Sequence, residues 1–301
     1  MQRRKFIQQT GVVAFGVGVF GNISWNNDKF IGDTATTTDI LGPFYRPNAP
    51  IRININPANY TGPLFHLSGT IYKADGKTVF ANSLVEIWQC DEYKVYDNTT
   101  DDFHYRGSQR VGKDGKYRFV TTLPLPYPLS AGSDIYRPAH IHMRISGEGQ
   151  QDLITQIYFK DDQHIEKDPS SKSMEAINRI LPVNQNKKGE KMVEFNVVMQ
   201  KEFKPGIEVY KKISGIYEMT DKSLIEFYKD GDMLFMKRNG QIVEGLRYSG
   251  NNTFDGGANG SNTLKAVFQL QEGGTVNLRL DYHNSFSGKE SKMEGVKTFK
   301  Y

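Results

Sequence analysis

Two histidines separated by a single residue form the part of this sequence that is best suited to chemistry. Successive side chains of an extended strand point to opposite faces, so His140 and His142 would share a face while Ile141 points the other way. Paired imidazoles are a common start to a metal site. Two tyrosines upstream, Tyr96 and Tyr127, could add phenolate oxygens, but only beside a cation that lowers the phenol pKa. Hard anionic oxygens suit Fe(III) better than Zn(II), and the pattern therefore indicates a non-haem ferric site.

These residues lie within a series of motifs that resembles the intradiol ring-cleavage dioxygenases, the family that includes protocatechuate 3,4-dioxygenase and catechol 1,2-dioxygenase. The most specific segment is Tyr-Pro followed by Arg-Pro-Ala-His-x-His. The motifs run in family order from about residue 38 to about residue 200. They are Leu41-Gly-Pro-Phe-Tyr-Arg-Pro47, Val85-Glu-Ile-Trp-Gln-Cys90, Asp114-Gly-Lys-Tyr-Arg-Phe119, Leu125-Pro-Tyr127-Pro, Tyr136-Arg-Pro-Ala-His-Ile-His142 and Leu153-Ile-Thr-Gln156-Ile-Tyr-Phe159.

The resemblance implies one non-haem Fe(III) per chain as the cofactor. The four iron ligands of the family fall on Tyr96, Tyr127, His140 and His142. Two phenolates would stabilise the ferric state, so that the substrate rather than oxygen is activated. The Tyr127 phenolate, displaced from the metal, would then act as a base for the substrate.

The resemblance also implies positions around a bound substrate. The guanidinium that lies next to the substrate falls on Arg137, where it would stabilise negative charge. A glutamine just outside the ligand set falls on Gln156. Tyr45 is predicted to line the mouth of the site. Leu129 stands where protocatechuate enzymes tend to carry Trp, so the wall of the substrate pocket differs from theirs.

The implied reaction is cleavage of a catechol-type aromatic diol between its two hydroxylated carbons. The partners would be the diol and O2, and the product a cis,cis-muconate-type dicarboxylate. Arg137 would stabilise the negative charge that builds on the ring. The sequence does not choose among catechol derivatives, and it leaves homo-oligomerisation open.

Two other classes of protein share some features of this pattern. Transthyretin-like and carboxypeptidase-regulatory-like domains have the Asp-Gly-x-Tyr-x-Phe turn and strand, so the chain could be a secreted, non-catalytic binding module. The His pair alone would also suit a zinc hydrolase. The binding domains lack the Tyr, Tyr, His, His set, and a red-brown tyrosinate-to-iron absorption would exclude the hydrolase.

The N-terminus predicts export. Residues 1–21 resemble a twin-arginine (Tat) signal, in which Arg3-Arg4-Lys5-Phe6-Ile7 precedes an apolar run too short to span a bilayer. We therefore expect a periplasmic or cell-envelope protein with no stable membrane span. The formal charge of +4 falls to +1 without the three basic residues at positions 3–5, and it indicates no nucleic-acid partner. A single cysteine excludes an intrachain disulfide framework.

The expected fold is all-β. Residues 22–37 are polar without periodicity and predict a linker. Residues 38–205 predict an antiparallel β-sandwich, because short strands alternate with polar turns. The predicted strands are 67–72, 85–89, 117–122, 139–145, 153–159 and 193–199, with a helix at 173–181.

Residues 206–301 lie beyond the resemblance. Their alternating apolar and polar residues predict a small antiparallel β-meander, a partial or closed barrel that only loosely resembles lipocalin-like appended modules. The predicted strands are 213–219, 224–228, 233–237, 241–248, 264–270, 276–282 and 295–299, with hairpin turns at 229–232 and 238–240. No cluster of metal ligands occurs in this region of the sequence, and its role stays open.

Overall fold

A computed structural model of the chain describes residues 23–26, 29–32, 35–130, 132–257, 262–285 and 287–299. It contains a β-sandwich followed by a closed β-barrel, so the all-β prediction is confirmed. The export signal predicted for residues 1–21 lies outside the described residues.

The N-terminal two thirds of the chain contain sixteen of the described strands and one 3-10 helix, at Met174–Arg179. The strands are β1 (Ile23–Asn26), β2 (Lys29–Gly32), β3 (Phe65–Tyr72), β4 (Leu84–Trp88), β5 (Arg106–Arg110), β6 (Lys116–Thr121), β7 (Tyr127–Pro128), β8 (Tyr136–Arg137), β9 (His140–Ser146), β10 (Gln150–Gln151), β11 (Leu153–Phe159), β12 (Ile180–Leu181), β13 (Asn184–Gln185), β14 (Lys191–Glu194), β15 (Val197–Val198) and β16 (Gln200–Lys201).

Two five-stranded sheets form the sandwich. One has the order β12-β11-β9-β4-β5, and we call it the histidine sheet because β9 carries His140 and His142. The other runs β13-β14-β3-β15, with β6 also paired to β3. Most pairs are antiparallel, but β12 pairs with β11, and β14 and β15 pair with β3, in parallel. Apolar side chains of both sheets form one core, which includes Phe65, Leu67, Val85, Ile87, Phe119, Ile141, Met143, Ile145, Ile157 and Val193.

Strand β9 divides its side chains between the core and the outer face of the histidine sheet. Ile141 lies in the core, whereas His140 and His142 point to the outer face, as the strand period predicts. In the neighbouring strands, Trp88 and Gln156 are both register partners of His142. The chemistry-bearing residues of three strands therefore share one surface.

The described residues of the predicted linker, 22–37, include two short strands. Strands β1 and β2 pair with each other in antiparallel register. Downstream, the backbone N–H of Thr36 donates to Val198 O over 2.8 Å, and Thr155 Oγ1 donates to Thr37 O over 2.9 Å. The end of this segment is thus attached to the sandwich.

The helix predicted for residues 173–181 differs from the element that the structure shows there. The chain forms a short 3-10 helix and then enters β12. Met174 and Ile177 are 88% and 69% exposed, and only Ala176 and Arg179 of the helix are buried. The helical spacing of apolar residues here does not reflect a buried helical face.

The remaining described residues form a single helix and a closed eight-stranded antiparallel barrel. Seven of these strands are predicted, and β21 is not. The elements are α1 (Ile207–Ile213), β17 (Gly215–Met219), β18 (Leu224–Asp230), β19 (Met233–Arg238), β20 (Gln241–Gly250), β21 (Thr253–Gly257), β22 (Thr263–Leu270), β23 (Val276–Asn284) and β24 (Lys289–Phe299).

Side chains fill the interior of the barrel. Tyr217 and Phe254 each pack a ring against Phe268, at centroid distances of 5.7 and 5.8 Å. Helix α1 adds Tyr210 and Ile213 to the same cluster. Among the described residues, no helix combines the length and apolar character needed to cross a membrane.

Candidate metal centre

The four side chains predicted to bind metal meet on the outer face of β9. The hydroxyl oxygens of Tyr96 and Tyr127 each lie 3.3 Å from Nε2 of His140. The ring centroids of His140 and His142 are 4.9 Å apart, and the Tyr96 ring is 6.0 Å from that of His142. Tyr96 comes from the loop after β4 and Tyr127 from β7, so three separate segments supply the four groups.

The two imidazoles are held by different contacts. Nδ1 of His140 lies 2.6 Å from Pro138 O, which assigns the proton to Nδ1 and leaves the lone pair of Nε2 facing the tyrosine oxygens. The His142 ring stacks on Trp88, with centroids 4.9 Å apart and an interplanar angle of 8°. Both rings are thereby fixed before any ligand arrives.

Gly42 lies against the other side of His142. Its φ of +74° is in the left-handed region, and a Cβ there would lie only 3.0 Å from Cε1 of His142. A larger residue would be strained and would push on the imidazole. The glycine of the Leu41-Gly-Pro motif is therefore explained by the metal centre.

Burial sets the protonation of all four groups. Burial, together with the positive charge of Arg137, lowers the pKa of His140 to about 3. Burial and the neighbouring His140 hold the pKa of His142 well below its ordinary value, so both imidazoles are neutral, the form that binds metals. Burial raises the pKa of Tyr96 and, against the charge of Arg137, that of Tyr127. These phenols would ionise only beside a strong cation.

The donor set fits a ferric ion. Nδ1 of His142 is buried and has no hydrogen-bond partner among the described residues. The same residues include no group of three or more His, Cys, Asp and Glu side chains that could hold a metal. Two tyrosine oxygens lie beside the imidazole of His140, and phenolates favour a hard trivalent ion.

Arg137 is buried next to these groups. Its Nη2 donates to Gln156 Oε1 over 2.9 Å and to the hydroxyl of Tyr158 over 3.2 Å, and its Nε lies 2.7 Å from Asp168 Oδ1. Nε2 of Gln156 in turn donates to Ile40 O over 2.8 Å. Tyr158 and Asp168 raise the pKa of Arg137 although burial opposes them, so the guanidinium is a permanent positive charge.

Sequence reasoning missed the residues that support Arg137. The hydroxyl of Tyr158 donates to Asp39 Oδ2 over 2.7 Å, and Arg179 forms an ion pair with the same oxygen. Tyr158 lies two residues after Gln156 on a strand, so its shared face was a usable signal. Asp39, Asp168 and Arg179 come from distant segments, and nothing local in the sequence indicates that they meet.

The structure buries Tyr45, the residue predicted to line the mouth of the site. It is 5% exposed, its ring packs between Trp88 and Phe235, and its hydroxyl accepts a hydrogen bond from Arg144 Nη1 over 2.9 Å. A contact with substrate therefore does not follow from this geometry. Tyr45 joins the sandwich to the barrel instead.

Of the four predicted donors, Tyr127 is the most accessible to solvent. His140 and His142 are 1% exposed and Tyr96 is 6% exposed, whereas Tyr127 is only partly buried. Leu129, two residues after Tyr127 on the hairpin between β7 and β8, is 43% exposed, and its role in a substrate pocket stays a prediction.

The β-sandwich therefore brings the two histidines and two tyrosines predicted from the sequence together on one outer face. Comparison with known proteins identifies the family to which this fold belongs. A family model described as Dioxygenase matches residues 40–201, more than half of the chain. The matched residues end before α1 and the barrel.

Similar proteins carry specific names. Chlorocatechol 1,2-dioxygenase of Cupriavidus pinatubonensis is 32% identical over 142 residues, or 42% of this chain and 55% of the relative. Catechol 1,2-dioxygenase 1 of Acinetobacter lwoffii is 32% identical over 203 residues, or 57% of this chain and 64% of the relative. The structure of wild-type Acinetobacter radioresistens catechol 1,2 dioxygenase is similar in fold, with a TM-score of 0.51 and 20% identity over 66% of this chain and 69% of that one.

The chain belongs to the intradiol ring-cleavage dioxygenase family. It spans between about half and two thirds of the length of the curated relatives that it matches.

Proposed function

We propose that the protein is a non-haem Fe(III) dioxygenase that cleaves a catechol-type aromatic diol between its two hydroxylated carbons. The observation that carries this proposal is the convergence of Tyr96, Tyr127, His140 and His142 on one buried point of the histidine sheet. Relatives named catechol and chlorocatechol 1,2-dioxygenase support the same reaction class.

Fe(III) bound by these four side chains would supply Lewis acidity that lowers the pKa of both diol hydroxyls and prepares the ring for reaction with O2. The overall reaction adds both atoms of O2 to the diol and breaks the bond between the two oxygen-bearing carbons. The product is a cis,cis-muconate-type dicarboxylate, and no other oxidant or reductant is needed.

Tyr127 is the residue placed to move a substrate proton. It is the most exposed of the four donors, so a diol that enters from solvent would approach its oxygen first. The charge of Arg137 acts to lower its pKa against the effect of burial. As the phenolate that a bound cation would maintain, Tyr127 would take one proton from the diol and become a neutral phenol, while Tyr96, His140 and His142 keep their positions.

Arg137 would orient the bound dianion and stabilise negative charge on its ring. Its guanidinium is fixed on three sides by Asp168, Gln156 and Tyr158, so it would stabilise that charge without reorganising. Gln156 therefore contributes by holding Arg137. The exposed side chains of Leu129 and Ile135 on the β7–β8 hairpin make the entrance apolar, which suits the aromatic ring of such a substrate.

The decisive experiment is anaerobic titration of iron-replete protein with catechol, 3-chlorocatechol and protocatechuate, followed by addition of O2. We expect a tyrosinate-to-iron visible band that shifts on binding, one O2 consumed per diol and a ring-opened diacid. A colourless, zinc-loaded protein that turns over none of the diols would overturn the proposal.

Replacing Tyr127 with Phe tests the assigned proton transfer. The variant should still bind iron through the other three donors but should deprotonate the diol more slowly under anaerobic conditions. Turnover equal to that of the wild type would remove this role from Tyr127.

We also propose that the protein is exported, on the support of the Arg3-Arg4 signal in the sequence. Replacing both arginines with lysine should retain the protein in the cytoplasm of the producing cells, as measured by fractionation. Unchanged export would contradict a twin-arginine signal.

A further inference from the structure

We propose that the barrel is a positioning element for the metal centre, and that Phe235 is the residue through which it acts. This inference rests on the proposed function, because it assigns the barrel a role in the same site. The barrel contacts the donor-bearing region of the sandwich in four ways, through an apolar cluster, a stack of rings, an ion pair and hydrogen bonds to the segment over His142.

One apolar cluster contains residues of the barrel together with residues of the metal centre. Among the donors, Tyr96 belongs to the cluster and Tyr127 packs against it. Through this cluster the barrel packs against the sheet that holds the donors. The buried members are Leu41, Tyr45, Trp88, Cys90, Tyr96 and Ile154 from the sandwich, and Met233, Phe235 and Ile242 from the barrel.

A stack of four rings runs from the barrel to a metal ligand. Phe235 of β19 stacks on Tyr45 with centroids 5.6 Å apart and an interplanar angle of 12°. Tyr45 packs on Trp88 at 4.9 Å, and Trp88 stacks on His142 at 4.9 Å. Because close-packed rings transmit displacement, removing Phe235 would let Tyr45 and then Trp88 relax away from His142.

An ion pair fixes the barrel to β9 itself. Arg144 lies two residues after His142 on the same face, and its Nη1 is 2.8 Å from Asp230 Oδ2 in the β18–β19 hairpin. The guanidinium also lies 4.9 Å from the centroid of the Phe235 ring. The contact therefore attaches the barrel to β9 at a position two residues after His142.

The barrel also holds the segment that covers His142. The carboxylate of Glu244 on β20 accepts a hydrogen bond from the backbone N–H of Leu41, the residue before Gly42. Near the same point, Nη2 of Arg247 donates to Thr38 Oγ1 over 3.2 Å. The backbone that packs on the imidazole is therefore anchored from the barrel side.

The interior of the barrel is occupied by the packed side chains of the described residues, including the rings of Tyr217, Phe227, Phe254 and Phe268. The outer surface of the barrel presents an apolar patch that packs against the sandwich, and this patch suits a positioning role.

The test compares two Phe→Ala variants of the whole chain. Phe235→Ala removes the ring that contacts Tyr45, whereas Phe268→Ala makes the same change inside the barrel, away from the sandwich. Both should lower the melting temperature. Only Phe235→Ala should speed amide hydrogen exchange in residues 38–45, shift the tyrosinate-to-iron band and lower kcat, on the order of tenfold or more, with a smaller change in KM.

Two further variants separate positioning from general damage. Phe235→Tyr retains the ring and should restore the exchange rates and the visible band. Gly245→Ala would place a Cβ 2.6 Å from Ile154 Cδ1 and act as a mild wedge at the interface, whereas Gly206→Ala adds a Cβ with nothing within 4 Å. We expect only the first of these glycine variants to speed exchange in residues 38–45.

The outcomes are distinguishable. If Phe235→Ala and Phe268→Ala change exchange in residues 38–45 and the visible band equally, the barrel does not act through Phe235 and the inference is wrong. If the wild type cleaves no diol, the proposed function fails, yet the exchange data still show whether the barrel orders the segment over His142.

Discussion

Arg137 owes its position to neighbours that are not metal ligands. Asp168 contacts its Nε, while Gln156 and Tyr158 both accept from its Nη2. A planar guanidinium can make these contacts at once, and a lysine ammonium on its flexible stem cannot. The identity of the residue therefore matters at this position, and not only its charge.

Replacing Arg137 with Lys should keep iron binding and lower kcat by about 100-fold, because the positive charge is no longer fixed beside the substrate. Steady-state kinetics together with the visible spectrum measure both effects. The matched control is Arg118→Lys on the exposed face of β6, which should change neither. A kcat within about twofold of the wild type would contradict the role assigned to Arg137.

Glu244 is a second residue whose surroundings change a measurable property, the pKa of its carboxyl group. Burial raises its pKa from the ordinary value of 4.5 to about 7. Backbone N–H groups of Gly245, Gly257 and Leu41, and then the charge of Arg247, act in the opposite direction but do not overcome burial. The folded chain thus holds this proton to a higher pH than the unfolded chain does.

The stabilising contribution of the protonated Glu244 is therefore complete below about pH 4.5 and is lost as the pH rises to about 7. Glu244→Gln removes the titration and keeps an acceptor. The free energy of unfolding of Glu244→Gln minus that of the wild type should increase by up to about 3 kcal/mol as the pH rises over this range, and should then level off. Urea unfolding between pH 4.5 and 8 measures this, with the same substitution at the exposed Glu272 as the matched control. A flat difference for Glu244→Gln would show that the carboxyl titrates normally.

At the scale of elements, the sequence is most informative where local pattern and burial agree. The bounds Leu153–Phe159 of β11 are those predicted, and the turns before Met233 and Gln241 lie where the Asp-Gly and Asn-Gly pairs place them. Strand β9 follows the same logic, since its alternation separates core residues from ligands. Such elements are specified by their own residues.

Other elements depend on distant partners, and the sequence gives little sign of them. Strand β5 reads Arg-Gly-Ser-Gln-Arg and has no apolar alternation. Its Arg106 is buried because Nη1 donates to Phe44 O over 2.6 Å and Nη2 to Asn98 Oδ1 over 2.8 Å. The side chains behind Arg137 were missed for the same reason. Long-range hydrogen bonds, not hydrophobic periodicity, decide these positions.

Ile→Ala substitutions can test two features of these elements, the inward-facing side of β9 and the exposure of the 173–181 segment. Ile141→Ala opens a cavity in the core between the two ligand histidines and should cost about 2–5 kcal/mol of stability. Ile177→Ala, at a residue 69% exposed on the 3-10 helix, should change it by no more than about 0.5 kcal/mol. Urea unfolding monitored by circular dichroism provides both values. Equal losses would mean that Ile177 is buried in solution.

At the scale of the whole molecule, one sheet face serves two purposes. The region that carries His140, Gln156 and Tyr158 forms the proposed metal centre together with Arg137, while the adjacent region around Arg144 of β9 receives the barrel. The two functions share Trp88 and Tyr45 through their ring contacts. The barrel and the sandwich are thus expected to unfold together.

Arg144 is the residue on which this shared unfolding depends most. Its guanidinium pairs with Glu86 and Asp152 in the sandwich and with Asp230 in the barrel. Arg144→Met leaves two buried carboxylates without their cation, which should cost about 3–5 kcal/mol and split a single calorimetric transition into two. Asp230→Asn removes only the barrel partner, whose side chain is 48% exposed, and should cost at most about 1 kcal/mol with one transition retained. Two separate transitions in the wild type would show that the apolar cluster and the ring stack do not couple the domains.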